Sequence, residues 1–232
     1  DYKQGNIFGK AGINYKPFTN ENLHLRFCIS NGGRVPTFNE LYWKTGGNIN
    51  LKPETSISLQ IGSIYSFKLF ANHTIEVSYS NIKVKDKIIW KPVIGSVYWS
   101  PFNVSESTSD ILTASYEINK RFTDKFAAGF KFVYTNNKAV NTDSDKRLIY
   151  IPTEIAQSSL NLSVYNFNLN LLYTFTGKRY INEDNSLYLK GTDLLGANIG
   201  YSKKIFNLDF NIKFEINNLL NSNFQEMPGY PA

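Results

Sequence analysis

The chain has 232 residues, 42% of them hydrophobic and 15% aromatic, with 25 Lys and Arg against 19 Asp and Glu for a net charge of +6. That apolar and aromatic content excludes a disordered chain, and no unbroken apolar run approaches the eighteen or so residues that a spanning helix needs. The lone cysteine, Cys28, excludes an internal disulfide and a thiolate metal cluster. Basic residues are too scattered for a nucleic-acid module. The densest groups, Lys83-Lys85-Lys87 and Lys203-Lys204, read as solvated strand ends and turns.

In chain order the pattern is one of alternation with period two, the signature of a strand with one apolar and one polar face. A first strand is predicted over 9–16, with Ala11, Ile13 and Tyr15 on one face, and Pro17-Phe18-Thr19-Asn20 turns the chain. The second places Leu23, Leu25, Phe27 and Ile29 opposite His24, Arg26, Cys28 and Ser30. A long connection over 31–54 follows, punctuated by Gly32-Gly33, Pro36, Gly46-Gly47 and Pro53. The third strand carries Ile57, Leu59, Ile61 and Tyr65; after a short turn at 68–72, the fourth carries Ile75, Val77 and Tyr79. It then shifts phase to Ile82 and Val84, which predicts a β-bulge. A second long connection is expected over 91–109.

Leu112 to Ile118 mark a fifth strand, Thr123-Asp124-Lys125 a tight turn, and Phe126, Ala128, Phe130, Phe132 and Tyr134 a sixth. After a long connection over 136–153, Leu160, Leu162 and Val164 form a seventh, hinged at Asn166 to an eighth ending at Phe175. A fourth long connection covers 177–193. The ninth strand has Leu195, Ala197, Ile199 and Tyr201, and a turn over 203–207 leads to the clearest ladder, Leu208-Asp209-Phe210-Asn211-Ile212-Lys213-Phe214-Glu215-Ile216. No helix is expected.

About ten strands of nine to eleven residues, joined by connections that alternate between short and long, match a membrane β-barrel with short turns at one rim and long loops at the other. The mean hydropathy of −0.31 agrees, because a barrel strand hides its apolar face in every second position. The fold class expected is therefore all-β, an antiparallel transmembrane barrel. Tyr15, Tyr65, Tyr134 and Tyr173 at strand ends fit interfacial girdles.

Two stretches carry a resemblance. Arg34-Val35-Pro36-Thr37-Phe38-Asn39-Glu40-Leu41-Tyr42 and Gly47-Asn48-Ile49-Asn50-Leu51-Lys52-Pro53-Glu54 are similar to the R-x-P-x-x-x-E-L…G-N-x-x-L-K-P-E segment of TonB-dependent outer-membrane receptors. Phe175-Thr176-Gly177-Lys178-Arg179-Tyr180, Asn218-Leu219-Leu220-Asn221 and Pro228-Gly229-Tyr230-Pro231 agree with that family in order and spacing. The resemblance implies a barrel of about twenty-two strands, of which this chain supplies the C-terminal part over 1–232. The plug domain, the partner-binding box and a closing aromatic strand are not among these residues. It also implies the cell outer membrane of a Gram-negative bacterium, contact with its lipid, and coupling to the TonB energising complex through the N-terminal part. The resulting function is proton-motive-force-driven uptake of a scarce solute, with iron-siderophore, haem, cobalamin and glycan cargoes all open.

No catalytic constellation is present, and no cofactor or nucleic acid partner is expected. His24 and His73 lack metal-ligand spacing. Arg34, Pro36 and Glu40, with Pro53 and Glu54, are read as a structural loop motif in which Arg34 and Glu40 pair and Pro36 fixes the turn. Trp43, Trp90 and Trp99 are the ligand-binding candidates, since aromatic surface near long loops suits solute capture; girdle or loop packing accounts for them equally. Arg26, Gln60, Glu117 and Lys131 are placed on the water side. A passive channel or adhesin, and a soluble carbohydrate-binding β-sandwich, are the competing readings. The sandwich differs in exposing no uncovered apolar band.

Overall fold

The computed structural model describes residues 8–18, 22–93, 95, 98–206 and 208–225. The Pro228-Gly229-Tyr230-Pro231 stretch, Thr19 and Asn20 of the first turn, and Asn207 of the last lie outside them. The elements are β1 (Lys10–Tyr15), β2 (Leu23–Arg34), α1 (Phe38–Tyr42), β3 (Glu54–Lys68), β4 (Asn72–Pro92), β5 (Trp99–Thr123), β6 (Phe126–Asn141), β7 (Lys146–Arg147), β8 (Glu154–Val164), β9 (Phe167–Thr176), β10 (Arg179–Tyr180), β11 (Tyr188–Leu189), β12 (Thr192–Ile205) and β13 (Leu208–Ile216). Ten long strands form one antiparallel sheet in the order β1-β2-β3-β4-β5-β6-β8-β9-β12-β13, with β7 paired to β6. Every long strand follows its sequence neighbour, so the short turns collect at one end of the sheet and the long connections at the other. The two end strands, β1 and β13, do not pair with each other, and the barrel wall is left open.

Register confirms the period-two reading across the whole sheet. One cross-strand row runs through Ile118, Phe130, Leu160, Leu171, Ala197 and Ile216. The parallel row on the other face runs through Asn14, Arg26, Gly62, Ser78, Thr113 and Thr135. The first row begins near the short-turn end of β5 and finishes at the long-connection end of β13. Such climbing register is what tilted barrel strands require. The apolar face is uncovered: Phe130 is 38% exposed, Ile212 51% and Phe214 70%. A sandwich would bury these side chains under a second sheet, and no such sheet packs here among the described residues. The apolar positions of β6 run over 126–134 and those of β9 over 167–175, the length of a tilted membrane crossing.

The polar face is laced by its own pairs. Arg26 lies 3.7 Å from Glu76, Lys131 3.6 Å from Glu117, and the Asn170 amide donates to Asn198 Oδ1 at 2.7 Å. Cys28 sits on this face, half-buried and free. His24 shares it, whereas His73 falls on the apolar face near the short turns. There His73 stacks on Phe67 at 4.7 Å, with Nδ1 2.8 Å from the Tyr116 hydroxyl. With Tyr65 and Phe70 the cluster forms an aromatic belt at that rim. At the opposite rim three outward tyrosines repeat one motif. The hydroxyls of Tyr79, Tyr134 and Tyr173 donate to the carboxylates of Asp110, Glu154 and Asp193 on the following strand.

Four expectations are corrected. The connection placed over 91–109 is mostly strand: β4 and β5 continue as a paired hairpin up to Pro92 and Trp99. Past the membrane neither face of a strand must be apolar, so the alternation fades although the ladder of backbone hydrogen bonds does not. β4 and β5 exceed the expected nine to eleven residues for the same reason, with 21 and 25, while β8, β9 and β13 keep to that length with 11, 10 and 9. The β-bulge expected in β4 is absent, since β3 and β4 pair without interruption from Thr55 and Lys85 to Lys68 and Asn72. The phase change marks the point where the outward face becomes polar, with Lys83 and Lys85, and the inward face becomes apolar. The register shift lies instead in β5, between Arg121 and Thr123. Finally, one helical turn, α1, interrupts the connection over 35–53, where no helix was expected.

Candidate functional site

Few side chains in the membrane-crossing part of the sheet are buried. The buried apolar residues are Leu51, Ile88, Ala139, Leu148 and Ile149 at the long-connection end, with Ala71 in a short turn. The molecule's packed core is therefore its crown, the assembly of long connections around the β4–β5 hairpin.

The crown is organised by Arg34, the last residue of β2. Its guanidinium donates to both oxygens of Glu40, at 3.1 and 2.8 Å, and to both oxygens of Glu54, at 3.0 and 3.4 Å. The planar fork of arginine can serve two carboxylates in this way, which the point charge of lysine cannot. Glu40 also closes a capping box: its carboxylate accepts from the Thr37 N–H at 2.7 Å, and the Thr37 hydroxyl accepts from the Glu40 N–H at 3.2 Å. This box, spelled T-x-x-E in the sequence, is the signal that could have revealed α1. Pro36, directly before the N-cap, is buried. Glu54 faces Arg34 across the β2–β3 pair and accepts the Ile88 N–H of β4 at 2.6 Å, while Pro53 precedes it, half-buried. Three of the five sequence-predicted residues, Arg34, Glu40 and Glu54, thus meet in one network joining β2, α1, β3 and β4, and Pro36 and Pro53 flank it in the chain.

Burial alone would raise the Glu40 carboxyl. Hydrogen bonds from Arg34 and Thr37 outweigh that effect and hold it below the usual carboxylate range. Those to Glu40 and Glu54 in turn push the Arg34 guanidinium further up. Lys87, half-buried beside Glu54, is pushed down by burial, an effect that Glu54 partly counters.

The connection over 35–53 is sewn to the hairpin. Asn48 Nδ2 donates to the Pro101 carbonyl at 3.1 Å, and the Lys52 N–H to Asn103 Oδ1 at 2.8 Å. Asn103 Nδ2 returns bonds to the carbonyls of Lys52 and Asp86. Asp86 adopts the left-handed conformation (φ 53°), bending β4 where it rises above the sheet; aspartate tolerates this better than most residues. Gly46 is buried against the hairpin, and an added Cβ would collide with the Trp99 carbonyl oxygen. Gly46→Ala is expected to lift the loop at a cost of about 1–3 kcal/mol. A red shift of tryptophan emission, as Trp43 and Trp90 become wetter, is the measurement that checks it.

The structure brings Trp43 and Trp90 together, with centroids 5.7 Å apart, and sets Trp99 against Tyr150 at 5.4 Å. Trp90 lies in β4 and Trp99 opens β5, so both are strand residues of the hairpin rather than loop residues. Trp43 is 40% exposed. Sequence reasoning missed the aromatic and basic residues that the other connections contribute. Lys178 lies over both Tyr180 and Tyr188, and Lys91 covers Phe102 while holding Glu183 at 2.8 Å. A cavity of about 180 Å³ separates Ile89 and Val104 of the hairpin from Arg147, Leu148 and Ile149 of the connection over 142–153. Arg179, 8% exposed, ties the segment after β13 into the crown by donating to the Gln225 carbonyl at 2.9 Å.

A sheet whose uncovered apolar face runs unbroken over ten antiparallel strands, with a polar inner face and loops folded at one rim, is the wall of a transmembrane β-barrel. The chain belongs to the family of TonB-dependent receptor-like β-barrels, whose family model matches residues 1–219. Barrels of this family reside in the outer membrane of Gram-negative bacteria, and that is where this chain is located. It is 28% identical over 216 residues to a vitamin B12 transporter, BtuB, of Vibrio vulnificus, covering 91% of this chain and 32% of that protein. A second vitamin B12 transporter from the same species is 41% identical over 86 residues, covering 36% of this chain and 14% of that one. Among solved structures, the copper transporter OprC superposes with a TM-score of 0.65 at 14% identity, covering 94% of this chain and 34% of OprC. The ferric enterobactin receptor of Pseudomonas aeruginosa gives 0.65 at 16%, covering 93% and 35%. These structural likenesses establish the fold. The chain spans about a third of the length of the relatives and structures it matches most fully.

Proposed function

We propose that this chain forms part of the barrel of an outer-membrane transporter that captures a scarce solute at its crown and takes it up with energy supplied through TonB. The single observation that carries this reading is the pairing of an uncovered apolar band with a crown whose loops are locked into one packed unit. A passive pore needs the first but has little use for the second. The chain's share of its relatives supports reading these strands as one portion of a larger barrel, and in this proposal the plug and the TonB-contacting segment belong to the remainder of the protein.

In this account the wall is a rigid scaffold: lipid solvates the apolar face, and the polar face, with Arg26, Glu76, Glu117 and Lys131, borders the passage. Trp43, Trp90 and Trp99 supply flat, rigid surface for the solute at low entropic cost. Cobalamin is the first cargo to test, because the relatives that match by sequence are vitamin B12 transporters. A ferric siderophore is the second. The test is uptake of labelled cobalamin and of labelled ferric siderophore by cells making the full-length receptor, with and without TonB. TonB-dependent accumulation of either supports the reading, and TonB-independent entry establishes a passive channel in its place. Trp43→Ala is expected to weaken binding of the accepted solute about tenfold, read by equilibrium binding to purified receptor.

A further inference from the structure

A groove on the outer face of the wall, just above the apolar band, is not accounted for by solute uptake. It measures about 370 Å³ and is lined by Phe8, Asn31, Ile57, Lys83, Lys85 and Glu106, with Thr55 between them. The six strand residues among these occupy outward positions of four adjacent strands, β2 to β5, on the rows that continue the lipid-facing band, and Gly32 and Ser56 complete the lining from the intervening positions. Its floor is apolar, at Phe8 and Ile57, and joins that band. Its rim is basic. Lys138 of β6, cross-strand from Asp110, extends the rim sideways on the same face.

We propose that this groove binds the phosphate-bearing headgroup of an outer-leaflet lipid. Lys83, Lys85 and Lys138 are all exposed; among the described residues their side chains make no close hydrogen bond or ion pair, and Lys138 and Lys83 act on Asp110 only through longer-range attraction. The two nearby carboxylates leave an excess of one positive charge. One of them, Asp110, is already engaged by the Tyr79 hydroxyl and by Asn81 at 2.7 Å. Outward lysines at the border of a lipid-facing band lie with their stems along apolar surface and their ammonium groups at headgroup level. There they attract anionic lipid. An apolar floor beneath a cationic rim selects an amphiphile with its charge uppermost, which a free anion does not satisfy. The run Lys83-Lys85-Lys87 divides accordingly: the first two point outward into the groove, and Lys87 lies beyond the bend at Asp86, beside Glu54. This inference rests on the membrane placement of the wall and is independent of which solute is carried.

The test uses full-length receptor purified in detergent and titrated with diphosphorylated lipid A, with lipid A stripped of both phosphates, and with inorganic phosphate. The triple variant Lys83→Gln, Lys85→Gln, Lys138→Gln is expected to bind the phosphorylated lipid more than about tenfold more weakly. The triple arginine variant retains affinity, and Lys203→Gln with Lys204→Gln at the opposite rim changes nothing. Heat-modifiable gel mobility verifies that each barrel is folded. If the triple glutamine variant fails that check, Lys85→Gln alone replaces it, with a loss of about threefold expected. Unchanged affinity in the glutamine variant overturns the proposal, as does equal binding of the two lipid forms, which reduces the groove to a piece of apolar band. Displacement of the lipid by millimolar phosphate also overturns it and makes the groove a simple anion site.

Discussion

Arg34→Met is expected to release the connection over 35–53 from the hairpin and to cost about 2–3 kcal/mol of local stability. The reason lies in what is left behind. Glu40 is only 6% exposed, and without Arg34 its carboxylate keeps the Thr37 bonds alone. Removing one partner of a buried pair strands the other, a larger penalty than the pair's net worth. The figure is held below the full range for buried pairs because the Arg34 side chain is 40% exposed and water can compensate in part. Hydrogen exchange on full-length receptor is the direct readout. The Leu41, Asn48 and Ile88 amides, bonded to Thr37, Glu40 and Glu54, should lose protection together, while β8 and β9 amides keep theirs. Pairing Arg34→Met with Glu40→Leu should recover much of the loss, since no stranded charge remains. Equal exchange in Arg34→Met and the unaltered protein would refute the assignment of Arg34 as the organiser of the crown. The same network predicts a pH dependence. Glu40 is held below its ordinary value in the folded state, so its contribution is fully present above the usual carboxylate range and is lost as pH falls through the lowered value. Protection of these amides should therefore persist through mildly acidic conditions and fail only as pH falls below the ordinary carboxylate range.

Phe130→Arg is the second large effect, expected to lower the stability of the membrane-inserted barrel by about 2–4 kcal/mol. Phe130 lies midway along the outward positions of β6, between Ile118 and Leu160 on the neighbouring strands. A guanidinium there must sit in hydrocarbon or thin the bilayer around itself. Its neighbour Lys131 faces the other way. Lys131→Ala removes only a half-exposed pair with Glu117 at 3.6 Å and should change stability by less than about 1 kcal/mol. Denaturant titration of receptor refolded into vesicles compares the two. A similar cost at both positions would contradict the assignment of lipid-facing and water-facing sides.

That contrast shows what periodicity encodes well. In 126–134, 167–175 and 208–216 a bilayer imposes its demand on every second residue, so strand position, face and sheet order were all legible. The alternation of short and long connections, and the R-x-P-x-x-x-E-L segment, gave the barrel class and its family. Legibility stopped where the membrane does. The stretch from Trp99 to Ser109 reads as a loop because water accepts either kind of side chain on either face, yet backbone pairing carries the hairpin on. Ile82 and Val84 imitate a bulge for the same reason: the solvent on the outer face changes, while the register does not.

Local pattern was enough to specify the strands, which side of each meets lipid, and a loop motif at Arg34, Pro36, Glu40, Pro53 and Glu54. Alternation against a uniform solvent supplies that information. Long-range packing alone makes Arg34 serve both Glu40 and Glu54, brings Trp43 to Trp90 and Trp99 to Tyr150, and parts Lys83 and Lys85 from Lys87. Each of these depends on segments tens of residues apart in the chain. Their contacts are set by cross-strand register and by the packing of connections on the hairpin, which no local pattern carries.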